Sequence, residues 1–455
     1  MFLASPMRLV TLHLQLFFPD DTESVLNLKT QSLPEVHFSG LLSHHNDKME
    51  TVRSTEKVRC GQLSSIKYRS SIERCLTTSH VMSSVSLDQK EQVATSYVTY
   101  ADLECVDYKY LLCGLSDGGV AIYDTSVVKE GSIYGEVGSV KGGQRGTHKY
   151  QVECVQWYPA DAGLFSTSSR DKRIKIWDPN RMKVVDQFDI DCHIHHHQMS
   201  PVATKHSLLA VAGDSGEVIL CDLRSGTSTH RLRGHDGAVR TTQWSPRVQH
   251  LIASSGCDRT VRMWDVRGSH PFIMALDANH HAAESFRRNK KIKRIPQAHK
   301  SQVVSFCFTH DGLWLLTFGR DGELKLWNST TGRKMDVSYG EMFTDTRRNL
   351  RMAVTPSMHP DLVFLPCKSK VLVLEILTGR LVNVMSGHFS TVFGALYNPS
   401  SMNLYTFGND HNFITWTPKI FDVNELEEDE NRTLDLLELP KRQRVTQDNW
   451  SSDED

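Results

Sequence analysis

The stretch CHIHHHQMS at residues 192–200 holds a dense group of metal-binding side chains. Alternate residues of a β-strand share a face, so His193, His195 and His197 could converge on one metal ion. No carboxylate or thiol elsewhere in the sequence recurs at a spacing that would complete such a site. Polar residues at the edge of a sheet explain the stretch without an ion, and we predict that the protein binds no metal.

Two further motifs resemble sites of chemistry. GDSG at residues 213–216 matches the nucleophile motif of serine proteases, but no partner histidine motif precedes it, and these residues are also typical of a turn. The Gly-rich stretch at residues 137–149 lacks the G-K-[ST] ending of a phosphate-binding loop, so we interpret it as a loop. We therefore predict that the chain is not an enzyme and uses no cofactor.

An arginine ends the stretch CDRTVRMWDVR at residues 257–267. Arg267 stands two residues after Asp265 in the sequence WDVR, and Arg224 stands two residues after Asp222 in the looser sequence CDLR. A planar guanidinium can donate paired hydrogen bonds to carbonyl or carboxylate groups of a partner. It can also pair with its own neighbouring aspartate, and the sequence leaves both interpretations open.

These residues belong to a sequence repeat, which predicts the elements that position them. Four copies carry an Asp six residues before a Trp, and three degenerate copies carry Tyr123, Cys221 or Leu374 in place of the Trp. The marker positions are 42 to 63 residues apart, and a period in the low forties is typical of one four-stranded propeller blade. We predict an all-β, seven-bladed propeller over residues 82–420, closed by an outer strand near residues 82–92.

The repeated residues resemble closely those of the WD-repeat family. In that family a His, a Ser or Thr, an Asp and a Trp of each blade form a buried chain of hydrogen bonds, which we call the blade lock. The resemblance assigns four blade locks, which are His235, Ser254, Asp258 and Trp264; His299, Thr317, Asp321 and Trp327; His388, Thr406, Asp410 and Trp416; and His148, Thr167, Asp171 and Trp177.

Three segments lie outside the predicted propeller. Residues 1–55 carry no repeat and are predicted to be a poorly ordered extension. Residues 421–455 form an acidic tail that is predicted to be disordered, with Ser451 and Ser452 as candidate phosphorylation sites.

The third segment, residues 56–81, is predicted to be helical. Tyr68, Ile72 and Leu76 recur at intervals of four residues and would share one face of a helix. A basic, amphipathic helix ahead of a self-contained propeller suits docking to a partner protein. The alternative is a helix that folds back on the rim of the propeller.

The overall composition limits the class of partner. The chain has 52 Lys and Arg against 53 Asp and Glu, so no global charge favours direct binding to nucleic acid or to a membrane. The ten cysteines form no C-x-x-C pair, which favours a reducing compartment. The loop RRNKKIKR at residues 287–294 must be exposed, and it is a solvated loop, a nuclear-import signal or a phosphate contact.

Beyond the generic repeat, several stretches are similar to the Cockayne syndrome A family of WD-repeat proteins. They include non-repeat positions such as QWYP at residues 156–159 and MSPV at residues 199–202, as well as DNWSSDED at residues 448–455. The resemblance implies a nuclear substrate receptor of a cullin-4 RING E3 ubiquitin ligase that acts in transcription-coupled nucleotide-excision repair.

The same resemblance implies partners and a binding site. The implied partners are the damaged-DNA-binding adaptor subunit, cullin-4 and the RING subunit, with the Cockayne syndrome B translocase, RNA polymerase II and the UV-stimulated scaffold protein as clients. The implied adaptor-binding residues are Arg267, Asp265, Arg224, Asp222, Tyr68, Ile72 and Leu76. A WD-repeat scaffold of a nuclear chromatin or RNA-processing complex, without a ligase, remains the alternative.

Overall fold

The structure is a computed structural model that describes residues 81–83, 86–87, 96–129, 133–278, 295–344, 346, 348–356 and 361–417. The chain divides into two compact units, Met1–Leu63 and Ser64–Asp455, and every described residue belongs to the second. The described residues form seven successive sheets and no helix. This confirms the predicted all-β, seven-bladed propeller. The predicted helical segment, most of which precedes Val81, and both predicted disordered termini lie outside the described residues.

The first blade and its neighbours contain strands β1 to β14. Two short strands precede the first blade: β1 (Val81–Ser83) and β2 (Ser86–Leu87). Blade 1 contains β3 (Val98–Leu103), β4 (Tyr110–Leu115), β5 (Val120–Lys129) and β6 (Ile133–Val140). Blade 2 contains β7 (Val152–Trp157), β8 (Phe165–Ser169), β9 (Arg173–Asp178) and β10 (Lys183–Asp189). Blade 3 contains β11 (Ile194–Met199), β12 (Leu208–Gly213), β13 (Glu217–Asp222) and β14 (Thr227–Arg233).

The remaining blades contain strands β15 to β28. Blade 4 contains β15 (Val239–Trp244), β16 (Leu251–Gly256), β17 (Val261–Asp265) and β18 (Phe272–Ala275). Blade 5 contains β19 (Val303–Phe308), β20 (Trp314–Gly319) and β21 (Leu324–Asn328). Blade 6 contains β22 (Ala353–Val354), β23 (Leu362–Cys367), β24 (Lys370–Glu375) and β25 (Leu381–Ser386). Blade 7 contains β26 (Val392–Tyr397), β27 (Leu404–Gly408) and β28 (Phe413–Thr417).

Blade 7 is completed by the strand that precedes the first blade. β1 pairs antiparallel with β28, with Val81 opposite Thr417 and Ser83 opposite Thr415. This closing strand lies at the start of the range that the sequence predicts for it, residues 82–92. Because it joins the two ends of the propeller, it covers an edge that would otherwise be open to pairing.

The core lies between neighbouring blades. On one side of blade 4, Trp244, Ile252 and Trp264 pack against Ala210 and Leu220 of blade 3. The inner strands are therefore buried on both faces, and β19 is buried at every position. This double burial explains why strands such as LIASSG and FSTSS lack the alternating polarity of a half-exposed sheet.

Side chains also join the innermost strands of successive blades. In three cases an Asp or Gln in the innermost strand of one blade accepts a hydrogen bond from a backbone amide of the next blade. The pairs are Asp102 with the amide of Trp157 at 2.9 Å, Gln156 with that of Met199 at 2.6 Å, and Gln198 with that of Trp244 at 2.6 Å. We call these contacts the inter-blade clasps.

The strand connectivity defines two faces of the propeller. We label the strands of a blade a to d from the centre outwards. The turns between strands b and c then lie at the same end as the loops that lead into each strand a. We call this end the turn face. Strand c runs away from it, so Arg224 and Arg267, which follow β13 and β17, lie on the opposite face.

Blade 5 departs from the four-stranded pattern. After β21 the chain forms only an isolated bridge between Trp327 and Lys334, and Tyr339 and Met342 of the following segment pack into the core between blades 5 and 6. The segment then reaches the inner strands, where Arg351 Nη2 lies 2.7 Å from Asp102 Oδ1. We call residues 348–352 the channel segment.

Candidate protein-interaction site

The blade lock of blade 4 is a continuous chain of hydrogen bonds. His235 Nδ1 lies 2.9 Å from Asp258 Oδ2, and His235 Nε2 lies 2.8 Å from Ser254 Oγ. Trp264 Nε1 donates to the same hydroxyl at 2.7 Å. One arrangement satisfies every group: Nδ1–H donates to Asp258, and Ser254 donates to Nε2 while it accepts from Trp264. This arrangement requires a neutral histidine.

The structure brings the other three predicted blade locks together in the same way. The distances from His to Asp, from His to Thr and from Trp to Thr are 2.9, 2.8 and 2.8 Å for His148, Asp171, Thr167 and Trp177. They are 3.1, 2.8 and 2.8 Å for His299, Asp321, Thr317 and Trp327. They are 2.9, 2.9 and 2.8 Å for His388, Asp410, Thr406 and Trp416.

Burial and hydrogen bonding fix the charges in these locks. Burial lowers the pKa of His148, His235 and His299, although the neighbouring carboxylates oppose this shift. Burial alone would raise the pKa of Asp321, but His299 and backbone amides lower it to about 2. The pKa of Asp258 is likewise lowered despite burial. At neutral pH the locks of His148, His235 and His299 therefore combine a neutral imidazole with a carboxylate.

A buried cation supports the lock in three blades, and sequence reasoning missed it. Lys175 Nζ donates to the carbonyl oxygens of Gly146 and Thr147, both at 2.7 Å, in the loop that ends at His148. Lys325 occupies the same place in blade 5 and Arg262 in blade 4, each two residues before the lock tryptophan. The available signal was the spacing D-x-x-x-[KR]-x-W. Lys and Arg in a strand are usually exposed, so this spacing by itself predicts a side chain that faces solvent.

Arg267 follows β17 on the face opposite the turns. Its guanidinium donates two hydrogen bonds to Asp265, from Nε to Oδ1 at 3.1 Å and from Nη2 to Oδ2 at 2.7 Å. Hydrogen bonding to Arg267 lowers the pKa of Asp265. The structure thus shows the pairing with its own aspartate that the sequence left open. The Arg267 side chain is still 65% exposed, so this surface pair orients a guanidinium that solvent and a partner can reach.

Arg224 occupies the corresponding place in blade 3. Its backbone amide donates to Asp222 Oδ1 at 3.0 Å, and the same carboxylate accepts from Ser207 Oγ at 2.8 Å. Backbone hydrogen bonding from Arg224 lowers the pKa of Asp222. Because blades 3 and 4 are neighbours, Arg224 and Arg267 present two exposed arginines on one face.

An apolar cleft opens on the same face between blades 2 and 3. Its lining includes Tyr158, Pro159, Met199, Pro201 and Leu223. The motifs QWYP and MSPV, which lie outside the Asp-to-Trp repeat, therefore form part of its wall. Leu223 of this lining lies between Asp222 and Arg224 in the sequence. The other predicted interaction residues, Tyr68, Ile72 and Leu76, the basic loop 287–294 and the tail 421–455 lie outside the described residues.

The histidine stretch does not converge on one point. His193 Nδ1 lies 2.6 Å from the carbonyl oxygen of Arg170, and His195 Nε2 lies 2.6 Å from Asp214 Oδ1. His197 lies 2.8 Å from Ser166 Oγ and 2.7 Å from Ser168 Oγ. A bulge between Ile194 and His196 separates their directions. Within the described ranges, no group of three or more His, Cys, Asp or Glu side chains could hold a metal ion.

The remaining motif, GDSG, lies at the turn between β12 and β13. Gly216 has a φ of 72°, a left-handed conformation that glycine adopts readily. No helix in the described part of the chain is long and apolar enough to cross a membrane.

Comparison with known families agrees with the repeat. The family model described as WD domain, G-beta repeat matches residues 143–178, 226–265 and 290–328. These stretches contain the blade locks of blades 2, 4 and 5. Propellers of this family are typically scaffolds without catalytic groups.

Three similar proteins indicate the range of relatives. The WD repeat-containing protein ATCSA-1 of Arabidopsis thaliana is 25% identical over 397 residues, which cover 73% of this chain and 88% of the relative. Radiation-sensitive protein 28 of Saccharomyces cerevisiae is 27% identical over 40% of this chain and 39% of its own length. Histone acetyltransferase type B subunit 2 of Candida glabrata is 22% identical over 49% of this chain and 50% of its own length.

Proposed function

For this WD-repeat protein we propose the role of substrate-recognition subunit in a cullin-4 RING E3 ubiquitin ligase. In this proposal the chain acts in the nucleus, in transcription-coupled nucleotide-excision repair. The face of Arg224 and Arg267 binds the damaged-DNA-binding adaptor, which connects to cullin-4 and the RING subunit. The turn face receives clients at stalled RNA polymerase II, among them the Cockayne syndrome B translocase and the UV-stimulated scaffold protein.

The observation that carries the proposal is the exposed guanidinium of Arg267. The blade lock requires Trp264 but does not require an arginine three residues later, since the other copies with a Trp continue as WDPN, WNST and WTPK. Asp265 holds the guanidinium without burying it. Such a group can exchange or share its hydrogen bonds with a carbonyl or carboxylate of a partner.

The similarity to ATCSA-1 supports the proposal independently. The match spans 88% of that protein, whereas the other relatives named above match over about half of their length or less. Its name carries the abbreviation of the Cockayne syndrome A family, which the motifs QWYP, MSPV and DNWSSDED also resemble.

The proposed mechanism is proximity. The chain contributes no group to bond chemistry; it holds a client near the ubiquitin-charged enzyme of the ligase, which raises the effective concentration of the acceptor lysine. This role needs a rigid connection between the two faces. The blade locks and the inter-blade clasps supply one.

The test is binding of the purified adaptor to a full-length variant that carries both Arg224→Glu and Arg267→Glu. We expect binding to weaken by at least about tenfold, because two exposed cations become repulsive or unpaired at an interface. The melting temperature should not change, since both side chains are exposed. The matched control is Arg259→Glu, which reverses an exposed arginine of blade 4 on the turn face and should bind the adaptor normally.

A second variant tests the helical segment. Replacing Tyr68, Ile72 and Leu76 together by Ala should weaken adaptor binding as well if these residues dock on the adaptor. Normal adaptor binding by both variants would contradict the ligase proposal. It would favour the second candidate, a WD-repeat scaffold of a nuclear chromatin or RNA-processing complex, which the similarity to the histone acetyltransferase subunit supports.

A further inference from the structure

The two ends of the propeller meet between blades 7 and 1, and we call this boundary the closing seam. At every other boundary the chain itself passes from one blade to the next. On the outside of the closing seam, β1 pairs with β28 of blade 7, and β2 pairs in parallel with β6 of blade 1. The strands β1 and β2, which we call the outer closure, therefore hold both sides of the seam at the rim.

The outer closure is short. β1 makes three residue pairs with β28, and β2 makes two with β6. The outer strands of blades 2 and 3, β10 and β14, each make six pairs with the strand beside them. Because cross-strand pairs are the unit of sheet stabilisation, strand pairing holds the rim of the closing seam less firmly than it holds those two blades together.

The centre of the closing seam differs from the boundaries that carry inter-blade clasps. Each clasp uses the fifth residue of an innermost strand, which is Asp102 in β3, Gln156 in β7 and Gln198 in β11. The fifth residue of β26 is Leu396, whose side chain cannot accept a hydrogen bond and which packs in the apolar core between blades 7 and 1. A side-chain hydrogen bond across the centre of this seam must therefore come from another part of the chain.

Arg351 of the channel segment makes that connection. Its backbone pairs with β26 of blade 7, because its amide donates to the carbonyl oxygen of Phe393 at 3.0 Å and its own carbonyl accepts from the amide of Ala395 at 2.9 Å. Its guanidinium reaches blade 1, where Nη1 donates to the carbonyl oxygen of Ala101 and Nη2 donates to Asp102 Oδ1 at 2.7 Å. One residue thus joins the two innermost strands, and it does so through charge-assisted hydrogen bonds.

Arg348 crosses the same seam. Its guanidinium lies 4.7 Å from the ring centroid of Phe393 in blade 7 and 5.5 Å from that of Tyr97, next to β3 of blade 1. Its Nη2 donates to the Tyr97 hydroxyl at 2.8 Å and to Gln151 Oε1 of blade 2 at 2.7 Å. We call Arg348 and Arg351 the inner closure.

The channel segment is anchored by contacts that do not involve the outer closure. Leu350 and Met352 are buried in the core between blades 5 and 6. Asn349 Nδ2 donates to the carbonyl oxygen of Arg240 in blade 4 at 2.6 Å. The inner closure is therefore held in place by other blades, whether or not β1 and β2 are paired.

We propose that the ring has two independent closures, and that the channel segment keeps the closing seam shut when β1 and β2 leave the rim. The outer closure is then a strap that can be released without opening the propeller. Residues 56–81, which are predicted to dock on a partner, lead into β1, so a partner that displaces them acts on the strap first. The inference goes beyond the proposed function, since it holds for any partner that binds this part of the chain.

The test combines substitutions at the two closures in the full-length chain. Val81→Pro, Met82→Pro and Ser83→Pro together form the strap variant, which removes the N–H groups that pairing with β28 needs. Arg351→Met removes the guanidinium of the inner closure. Hydrogen exchange is measured at the amide of Ala395 relative to that of Trp244 in blade 4, so that a general change in stability cancels. The melting temperature is measured as well.

We expect the strap variant to unfold cooperatively, with relative exchange at Ala395 as slow as in the unmodified chain. In Arg351→Met this exchange should be at least about tenfold faster, because charge-assisted hydrogen bonds are lost at the seam. The two sets of substitutions together should lower the melting temperature by more than the sum of their separate effects, since neither closure then remains. Fast relative exchange at Ala395 in the strap variant would overturn the proposal, and so would a combined loss equal to the sum.

A milder variant covers the case in which Arg351→Met does not fold. Asp102→Asn keeps an oxygen that can accept from the amide of Trp157, but it removes the charge that faces Arg351. It should show the same pattern as Arg351→Met with smaller changes, and purely additive behaviour with the strap variant would again contradict the proposal.

The matched control is Arg262→Met in blade 4. Arg262 is also a buried arginine beside an aspartate, with Nη2 3.3 Å from Asp258 Oδ2, but it lies away from the closing seam. Its effect on the melting temperature should add to that of the strap variant, as expected for distant sites. A loss beyond the sum in this control as well would show that the strap variant weakens the whole propeller, and the inner closure would then have no special role.

Discussion

Two neighbouring serines of blade 4 allow a sharp test of the blade lock. Ser254 and Ser255 are adjacent in β16, and both are 0% exposed. Ser254 Oγ lies 2.8 Å from His235 Nε2 and accepts from Trp264 Nε1 at 2.7 Å, whereas Ser255 Oγ has no hydrogen-bond partner among the described residues. Replacing either by Ala removes one buried hydroxyl and creates almost no cavity. The two variants therefore differ only in the hydrogen bonds that are lost.

The expected magnitudes follow from that difference. Ser254→Ala leaves a buried imidazole nitrogen and a buried indole N–H unpaired, each of which costs about 1–3 kcal/mol, so the free energy of unfolding should fall by about 2–6 kcal/mol. Ser255→Ala removes a hydroxyl that is buried without a partner, so the change should stay within about 0.5 kcal/mol or be stabilising.

Urea unfolding monitored by tryptophan fluorescence measures both variants at equal protein concentration and pH 7. The comparison between them cancels most effects of the unfolded state, because the sequence change is the same. Equal destabilisation by the two substitutions would refute the reasoning that the lock depends on hydrogen bonding rather than on packing. A stable Ser254→Ala protein would do so as well.

Acid should destabilise the propeller, and the sign is the same for both lock partners. Folding lowers the pKa of three lock histidines and of their aspartates, so the unfolded chain binds more protons than the folded chain. The free energy of unfolding should therefore fall as the pH drops below about 6.5, where histidines of the unfolded chain become protonated. It should fall further below about 4, where the aspartates do. Urea midpoints at pH 7.5, 6 and 4.5 measure this, and an unchanged midpoint between pH 7.5 and 4.5 would contradict it. Lys325→Met should lower the unfolding free energy by about 1–3 kcal/mol, because the carbonyl oxygen of Ala298 loses its buried donor at 2.9 Å. Hydrogen exchange at the amide of Lys300, which donates to Asp321, should quicken in this variant, and unchanged exchange would argue against a role for the cation in holding that loop.

The repeat made the fold predictable because its signals are local. An Asp six residues before a Trp specifies the b–c turn and the end of strand c, and the interval between copies specifies the size of a blade. The lock residues His148 and His235 come from other parts of the repeat, but they recur at a nearly constant distance from the same Asp, 23 residues in both cases. The spacing within a repeated unit therefore predicts contacts between residues that are far apart in the sequence.

Features that occur once in the molecule could not be read in this way. The channel segment contacts residues that are far away in sequence, such as Arg351 with Asp102 at a separation of 249 residues, and no second copy reveals the pairing. The partner of Arg267 was also undetermined, because a surface guanidinium has several acceptors of similar energy. The bulge that separates the directions of His193 and His195 leaves no mark in the residue pattern either.

The same distinction between repeated and unique features separates stability from recognition. The lock side chains and the inter-blade clasps recur in several blades, are buried or half-buried, and connect a blade to itself or to the next one. Arg267 on one face and Phe343 and Phe389 on the other are exposed, and the lock does not require them. A protein whose task is to hold two partners at a fixed separation needs this arrangement, since either face can then change its residues without loosening the blades between them. Substitutions at the exposed positions should thus alter binding while the melting temperature stays constant, and substitutions in the locks should do the reverse.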